Sequence, residues 1–133
     1  MWTYAQKSGN LLQNGRLVGT GYSGGGEGKN EPTMQSMEDV GPIPQGTWTI
    51  SGPPKDTPEH GPFVLTLTAD GGTNTFGRDG FLMHGDSVAA PGTASKGCII
   101  MPRAVREQVW SSGDLQLEVV PEFATQDSLD RTA

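Results

Sequence analysis

The chain has 133 residues, a length that fits one compact domain around one core. Its 20 glycines and 10 prolines, against a hydrophobic fraction of 33% and a charged fraction of 18%, point to many turns and short strands and exclude a bundle of long helices. A formal net charge of -6 excludes the wrapping of nucleic acid, which needs clustered Lys and Arg to displace phosphate counterions, and no apolar run approaches the ~20 residues of a membrane-spanning helix.

Trp2 and Tyr4 alternate with polar neighbours, and Asn14-Gly15 separates Leu11-Leu12-Gln13 from Arg16-Leu17-Val18. That pair tolerates positive φ at both centres of a two-residue hairpin, so the chain is expected to begin as a β-meander. Residues 23–33 are glycine-rich and polar and read as a surface loop, and 33–40 carries a weak pattern for one helical turn. Pro42 and Pro44 have no N–H to donate, which makes 41–46 an extended lead-in to a strand over Thr47–Ile50. A proline-rich connection over 51–62 is expected to precede a strand over 63–68, with Phe63, Leu65 and Leu67 on one face. After the turn Asp70-Gly71-Gly72, two short apolar strands are expected: Gly80–His84, ending at a histidine, and Gly97–Met101, beginning beside a cysteine. Pro102 suits the first position of a helix over 102–111. Leu115, Leu117 and Val119 alternate as a half-buried strand, which divides the chain into a domain over 1–121 and a polar tail over 122–133.

One cysteine permits no intrachain disulfide and no Cys-x-x-Cys metal or dithiol site. Cys98 is therefore a free thiol, and free thiols followed by apolar residues such as Ile99-Ile100-Met101 are commonly small buried packing groups. A second reading is chemical. Lys96 and a partnering His84 would favour the reactive thiolate, Gly97 lets the chain bend so that the N–H groups of Gly97 and Cys98 face a substrate carbonyl, and His84 would accept and return the thiol proton. His84, flanked by Gly85 and Asp86, equally reads as a hydrogen-bonded turn residue. His60, in Pro58-Glu59-His60-Gly61-Pro62, is the competing base and reads as an exposed loop residue. Between Arg78 and Arg106 four basic residues (Arg78, Lys96, Arg103, Arg106) face two acids (Asp79, Asp86), a balance that favours a small anionic ligand, although each cation also reads as an ordinary surface charge. Met1–Lys7 show no basic segment followed by an apolar run, so no ordinary export signal is expected.

Phe81-Leu82-Met83-His84-Gly85-Asp86, followed after a loop by Ser95-Lys96-Gly97-Cys98-Ile99, resembles the signature of the L,D-transpeptidase catalytic domain, in which His-Gly precedes Ser/Thr-x-Gly-Cys. Gly41-Pro42-Ile43-Pro44-Gln45-Gly46-Thr47-Trp48-Thr49-Ile50 resembles the Pro-x-Gly-x-Tyr-x-Ile segment that enters that family's sheet. The beginning, Trp2-x-Tyr4 through Gly21-Tyr22-Ser23-Gly24, is similar to the branch delivered as type VI secretion antibacterial effectors. The likeness touches most of residues 2–105. It departs at Lys96, where His or Arg is usual, and at Ile100, where a polar Asn or Arg is common.

The resemblance implies a mainly β, single-domain L,D-transpeptidase-like sheet with one short helix after the catalytic strand. It also implies an L,D-carboxypeptidase or L,D-transpeptidase acting on peptidoglycan stem peptides, with Cys98 as nucleophile and His84 as base. Gly97 and Ser95 would shape the oxyanion turn, and Lys96, Arg78, Arg103 and Asp86 are the candidates for substrate contact. No metal or cofactor is needed for that chemistry. A cognate immunity protein, a secretion-system carrier, synthesis in the cytoplasm and action in the periplasm of target bacteria follow from the same resemblance. The competing classes are a non-catalytic peptidoglycan-binding or spike-associated β module, and another Cys-His peptidase or amidase.

Overall fold

The computed structural model describes residues 1–123; the expected tail lies almost wholly outside them. Nine strands form one mixed sheet: β1 (Trp2–Ala5), β2 (Asn10–Gln13), β3 (Arg16–Thr20), β4 (Tyr22–Ser23), β5 (Gly46–Thr57), β6 (Gly61–Ala69), β7 (Leu82–His84), β8 (Ile99–Ile100) and β9 (Gln116–Val120), in the order β3-β2-β1-β9-β5-β6-β7-β8-β4. Among the described residues there is one α-helix, α1 (Arg103–Ser111), placed between β8 and β9. The architecture is thus mainly β with one short helix after β8, the strand that follows the cysteine, an L,D-transpeptidase-like sheet. No helix among the described residues is long and apolar enough to cross a membrane.

The meander forms as the sequence demands. Asn14 and Gly15 have φ of 50° and 85°, the left-handed pair of a two-residue hairpin between β2 and β3. Trp2 and Tyr4, alternate residues of β1, are both fully buried. β1 also pairs in parallel with β9, Tyr4 opposite Val119, so the first and last strands sit side by side inside the sheet. Trp48 and Ile50 of β5, Leu65 of β6, Met83 of β7, Ile99 of β8 and Leu117 of β9 continue the core across the strand boundaries. Trp48 anchors it: its Nε1–H donates to the Pro44 carbonyl at 3.1 Å, and its ring meets Phe81 edge-on at 5.0 Å.

Four expectations are corrected. The stretch 51–62 is not a bare connection: β5 runs through Thr57, and β5 and β6 form a long hairpin. Ser51 pairs with Thr66 but Lys55 pairs with Val64, so three residues of β5 oppose one of β6. That bulge holds Pro53 and Pro54, which could not have donated to a regular ladder. The helical turn looked for over 33–40 is confined to a 3-10 turn at Pro32–Met34. Ser23, the first residue of the expected loop, instead pairs with Ile99, and Tyr22 with Ile100, as the outer strand β4. The helix begins at Arg103 with Pro102 as its cap, one residue later than the sequence suggests.

β7 and β8 are parallel neighbours, with Met83 opposite Ile99 and His84 opposite Ile100. Parallel strands cannot be joined by a tight turn and need a long crossover. Residues 85–98 provide it without a helix, so its conformation rests on side-chain and backbone tethers. Because Trp48 joins β5 to this region through Phe81, Trp48→Ala is expected to cost about 3–5 kcal/mol of stability, read as a lowered urea midpoint; an unmoved midpoint would contradict this role.

Candidate active site

The crossover begins at His84 and ends at Cys98, and both residues line one open cleft of about 1110 Å³. His84 closes β7 and is only 2% exposed. Its Nδ1 lies 2.8 Å from the Gly85 carbonyl oxygen. A carbonyl only accepts, so Nδ1 carries the hydrogen and, in the neutral ring, Nε2 carries the lone pair. Nε2 is buried and, among the described residues, has no hydrogen-bond partner. Burial lowers the His84 pKa below its ordinary value; the bond to Gly85 opposes this, the charges of His60 and Arg106 reinforce it, and Asp86 works against them.

Cys98 immediately precedes β8, level with Leu82 in the register and two residues short of the position opposite His84. It is partly buried, with Sγ 3.8 Å from the Gly80 carbonyl oxygen. Burial raises the thiol pKa, while the Leu82 N–H and the Arg78 guanidinium pull it back. The cation acting on the thiol is therefore Arg78 rather than Lys96, whose side chain is exposed. Both shifts favour the neutral forms, a thiol at Cys98 and an imidazole at His84, and among the described residues no hydrogen bond joins the two side chains.

Ser95 organises the chain around Cys98. Its hydroxyl donates to the Cys98 carbonyl at 2.6 Å and accepts from the N–H groups of Gly24 at 2.9 Å and Gly97 at 3.0 Å. The Gly97 N–H, expected to face a substrate, is thus directed to Ser95. The Gly97 carbonyl accepts from Ser23 Oγ at 2.9 Å, and Ser23 Oγ in turn accepts from the Ile43 N–H at 2.8 Å. β4 and the 41–46 lead-in are in this way fastened beneath the cysteine.

The family model of the Tlde1 domain matches residues 18–120, a span that contains the whole His84–Cys98 segment. The chain belongs to the Tlde1 domain family. No curated protein and no solved structure matches it. Membership in this L,D-transpeptidase effector family makes the chain a peptidoglycan-modifying protein of L,D-transpeptidase type. The matched span begins in β3 and ends in β9, so of the nine strands only β1 and β2 lie outside it.

Within this Tlde1 domain, Arg78 and Arg106 do not present their guanidinium groups to solvent. Arg78, 6% exposed, donates through Nη1 to the carbonyls of Gln35 and Pro42, and through Nη2 to those of Gly41 and Lys96. Arg106, 4% exposed, donates to Met101 at 3.0 Å and to Pro62 and Phe63 at 2.7 Å each. Both were candidate carboxylate holders by charge; their donors serve the main chain instead. A Cβ on Gly97 would lie 2.6 Å from Arg78 Nη2, and one on Gly85 would lie 2.8 Å from Arg106 Nη2. The glycine after His84 and the glycine before Cys98 thus each make room for a buried arginine.

Asp86 also has an internal role: it accepts from Tyr22 Oη at 2.5 Å and from the N–H groups of Ser87 and Gly92. Burial raises its pKa, but these bonds outweigh it and hold the carboxyl below its ordinary range. The same contact, added to burial, pushes Tyr22 up to about 12. Arg103 and Lys96 remain exposed at the cleft, Arg103 pairing with Glu107 at 2.9 Å and lying over the Phe63 ring. The positive balance of 78–106 does not survive folding, because Glu38, Asp39 and Glu59 join the same cleft from other segments. His60 also arrives from afar: its ring stacks on His84 with centroids 4.5 Å apart. No sequence signal placed it there beyond its position in a Gly- and Pro-flanked turn.

At Gly97 φ is 144°, a conformation that side chains rarely adopt, and the open side is filled by Arg78 and Phe81. Gly97→Ala is therefore expected to lower stability by about 1–3 kcal/mol in thermal or urea unfolding and to reduce activity with it. A variant as stable as the wild type would refute the close fit.

Proposed function

We propose that Cys98 is the nucleophile and His84 the general base of an L,D-carboxypeptidase or L,D-transpeptidase acting on peptidoglycan tetrapeptide stems. The observation that carries this reading is that the only thiol of the chain and a buried histidine with an unpartnered Nε2 line the same cleft. The family membership supplies the substrate class.

The chemistry follows from the neutral resting pair. His84 Nε2 takes the Cys98 proton as Sγ attacks the carbonyl of the L-centre of meso-diaminopimelate. With the Gly97 N–H bound to Ser95, the Cys98 N–H is the donor we assign to the developing oxyanion. Collapse breaks the C–N bond, His84 returns the proton to the amine, and D-alanine leaves a thioester on Cys98. Water, assisted by His84, then hydrolyses the thioester to the tripeptide. A D-amino acid or a neighbouring stem amine attacking the same thioester gives exchange or a 3-3 crosslink. Because burial lowers the His84 pKa, the base stays unprotonated at neutral pH and is lost only below about pH 6.5, the ordinary histidine value.

Incubation with purified sacculi tests the reading. Wild type is expected to convert tetrapeptide muropeptides to tripeptides or exchanged products, with Cys98→Ala slower by at least about 10³-fold, by mass spectrometry. Unchanged tetrapeptides in both samples would remove the peptidoglycan proposal, and equal conversion by both would remove Cys98.

We infer from the same family that the chain is an antibacterial effector, carried by a secretion system and blocked at the cleft by a cognate immunity protein. Its substrate would then lie in the periplasm. Expression with an added export signal is expected to arrest or lyse cells, while cytoplasmic expression is tolerated; equal toxicity in the two compartments would contradict the inference.

A further inference from the structure

We propose that His60 is a positioning residue for His84: its ring, stacked on the buried imidazole from the β5–β6 turn, holds the base in the plane where Nδ1 donates to Gly85 and Nε2 is free for the thiol proton. The proposal rests on the reading of His84 as the base.

His84 needs such support. Its one hydrogen bond, to the carbonyl of the next residue, fixes the Nδ1 side of the ring only. The His60 ring supplies the second constraint, with centroids 4.5 Å apart and an interplanar angle of 35°.

The turn that carries His60 is itself fixed. The His60 N–H donates to Thr57 Oγ1 at 2.9 Å, the Phe63 N–H donates to Asp56 Oδ1 at 3.1 Å, and Thr57 pairs with Gly61 to close the hairpin. Arg106 then ties the strand leaving the turn to the helix side, through the Pro62 and Phe63 carbonyls. One guanidinium thus grips the His60 hairpin while its Nη2 packs against Gly85, beside His84. The bulge at Pro53-Pro54 lies farther back along the same arm.

Stacking also couples the two rings electrically. A neutral imidazole face favours a cation formed on its neighbour, whereas two imidazolium rings repel. The charged and titratable groups around His84 are His60 from the hairpin, Arg106 from α1 and Asp86 from the crossover; His60 and Arg106 disfavour its protonation and Asp86 favours it. Glu59 lies 3.8 Å from His60 but its side chain is 86% exposed, so water screens that pair. Among these groups His60 is the one in ring contact with the base.

The test compares wild type, His60→Ala and His60→Phe in D-alanine release across pH, with the His84 imidazole titrated by NMR in each folded protein. His60→Ala is expected to lose roughly tenfold in kcat with KM little changed, since orientation rather than binding is impaired. His60→Phe, which keeps a ring but no charge, is expected to recover most of that kcat. In His60→Phe the acid limb of kcat/KM and the His84 midpoint are both expected to move to higher pH, because burial remains and the opposing charge is gone. Wild-type kcat in His60→Ala, failure of His60→Phe to recover it, or a His84 midpoint unmoved in His60→Phe would each overturn the proposal. If wild type releases no D-alanine, the reading of the site as an L,D-carboxypeptidase fails; the His84 midpoint still decides the coupling, upheld by a shift and overturned by none.

Discussion

The site depends on a buried arginine that has no carboxylate partner among the described residues. Arg78 donates to four main-chain carbonyls drawn from Gln35, the Gly41-Pro42 pair and Lys96. A charge taken out of water is tolerated only where hydrogen bonds replace those of the solvent. The guanidinium therefore dictates its surroundings: the carbonyls must converge on it, Gly97 must lack a Cβ, and the Phe81 ring lies 5.1 Å from its centre. Phe81 in turn meets Trp48, so one interaction links the core of the sheet to the backbone that carries Cys98.

Arg106 repeats the device on the other side of the cleft. It binds the carbonyls of Met101, Pro62 and Phe63 and leaves room at Gly85 only for hydrogen. Between the two arginines runs the crossover from His84 to Cys98, pinned near its middle by Asp86 and near its end by Ser95. The long parallel connection needs no helix because these tethers satisfy its polar groups one by one. The glycines beside the histidine and the cysteine, which in sequence look like flexible turn positions, are packing requirements of two buried cations.

The electrostatics differ from those of a preformed ion pair. Burial acts on both reactive groups in the neutral direction, raising Cys98 and lowering His84, and Arg78 only partly restores the thiol. On the proposed mechanism, such a site would gain its reactivity when the proton moves, with the imidazolium formed against the Gly85 carbonyl and the His60 ring. A neutral thiol is also protected from the oxidation that follows thiolate character.

Much of the frame was legible in the sequence because it rests on local rules. The alternation of Trp2 and Tyr4, the Asn14-Gly15 turn, the donorless prolines before β5, Pro102 ahead of α1 and the alternating Leu117 and Val119 each answer to steric or periodic constraints within a few residues. The pairing of His84-Gly85 with Ser95-Lys96-Gly97-Cys98 likewise marked the reactive segment and the family. What lay beyond reach was set by distant partners: Ser23 beneath Gly97, the carbonyls of Gln35 and Pro62 around the two arginines, and His60 upon His84. Charge counted along the chain even gave the wrong balance for the cleft, because Glu38, Asp39 and Glu59 enter it only on folding. The sequence by itself determined where most strands begin and turn and which segment carries the family's His-Gly and Ser-x-Gly-Cys pattern. Tertiary structure alone decided which cations are buried and which histidine lies against His84, since burial and hydrogen-bond satisfaction belong to the packed whole rather than to any segment.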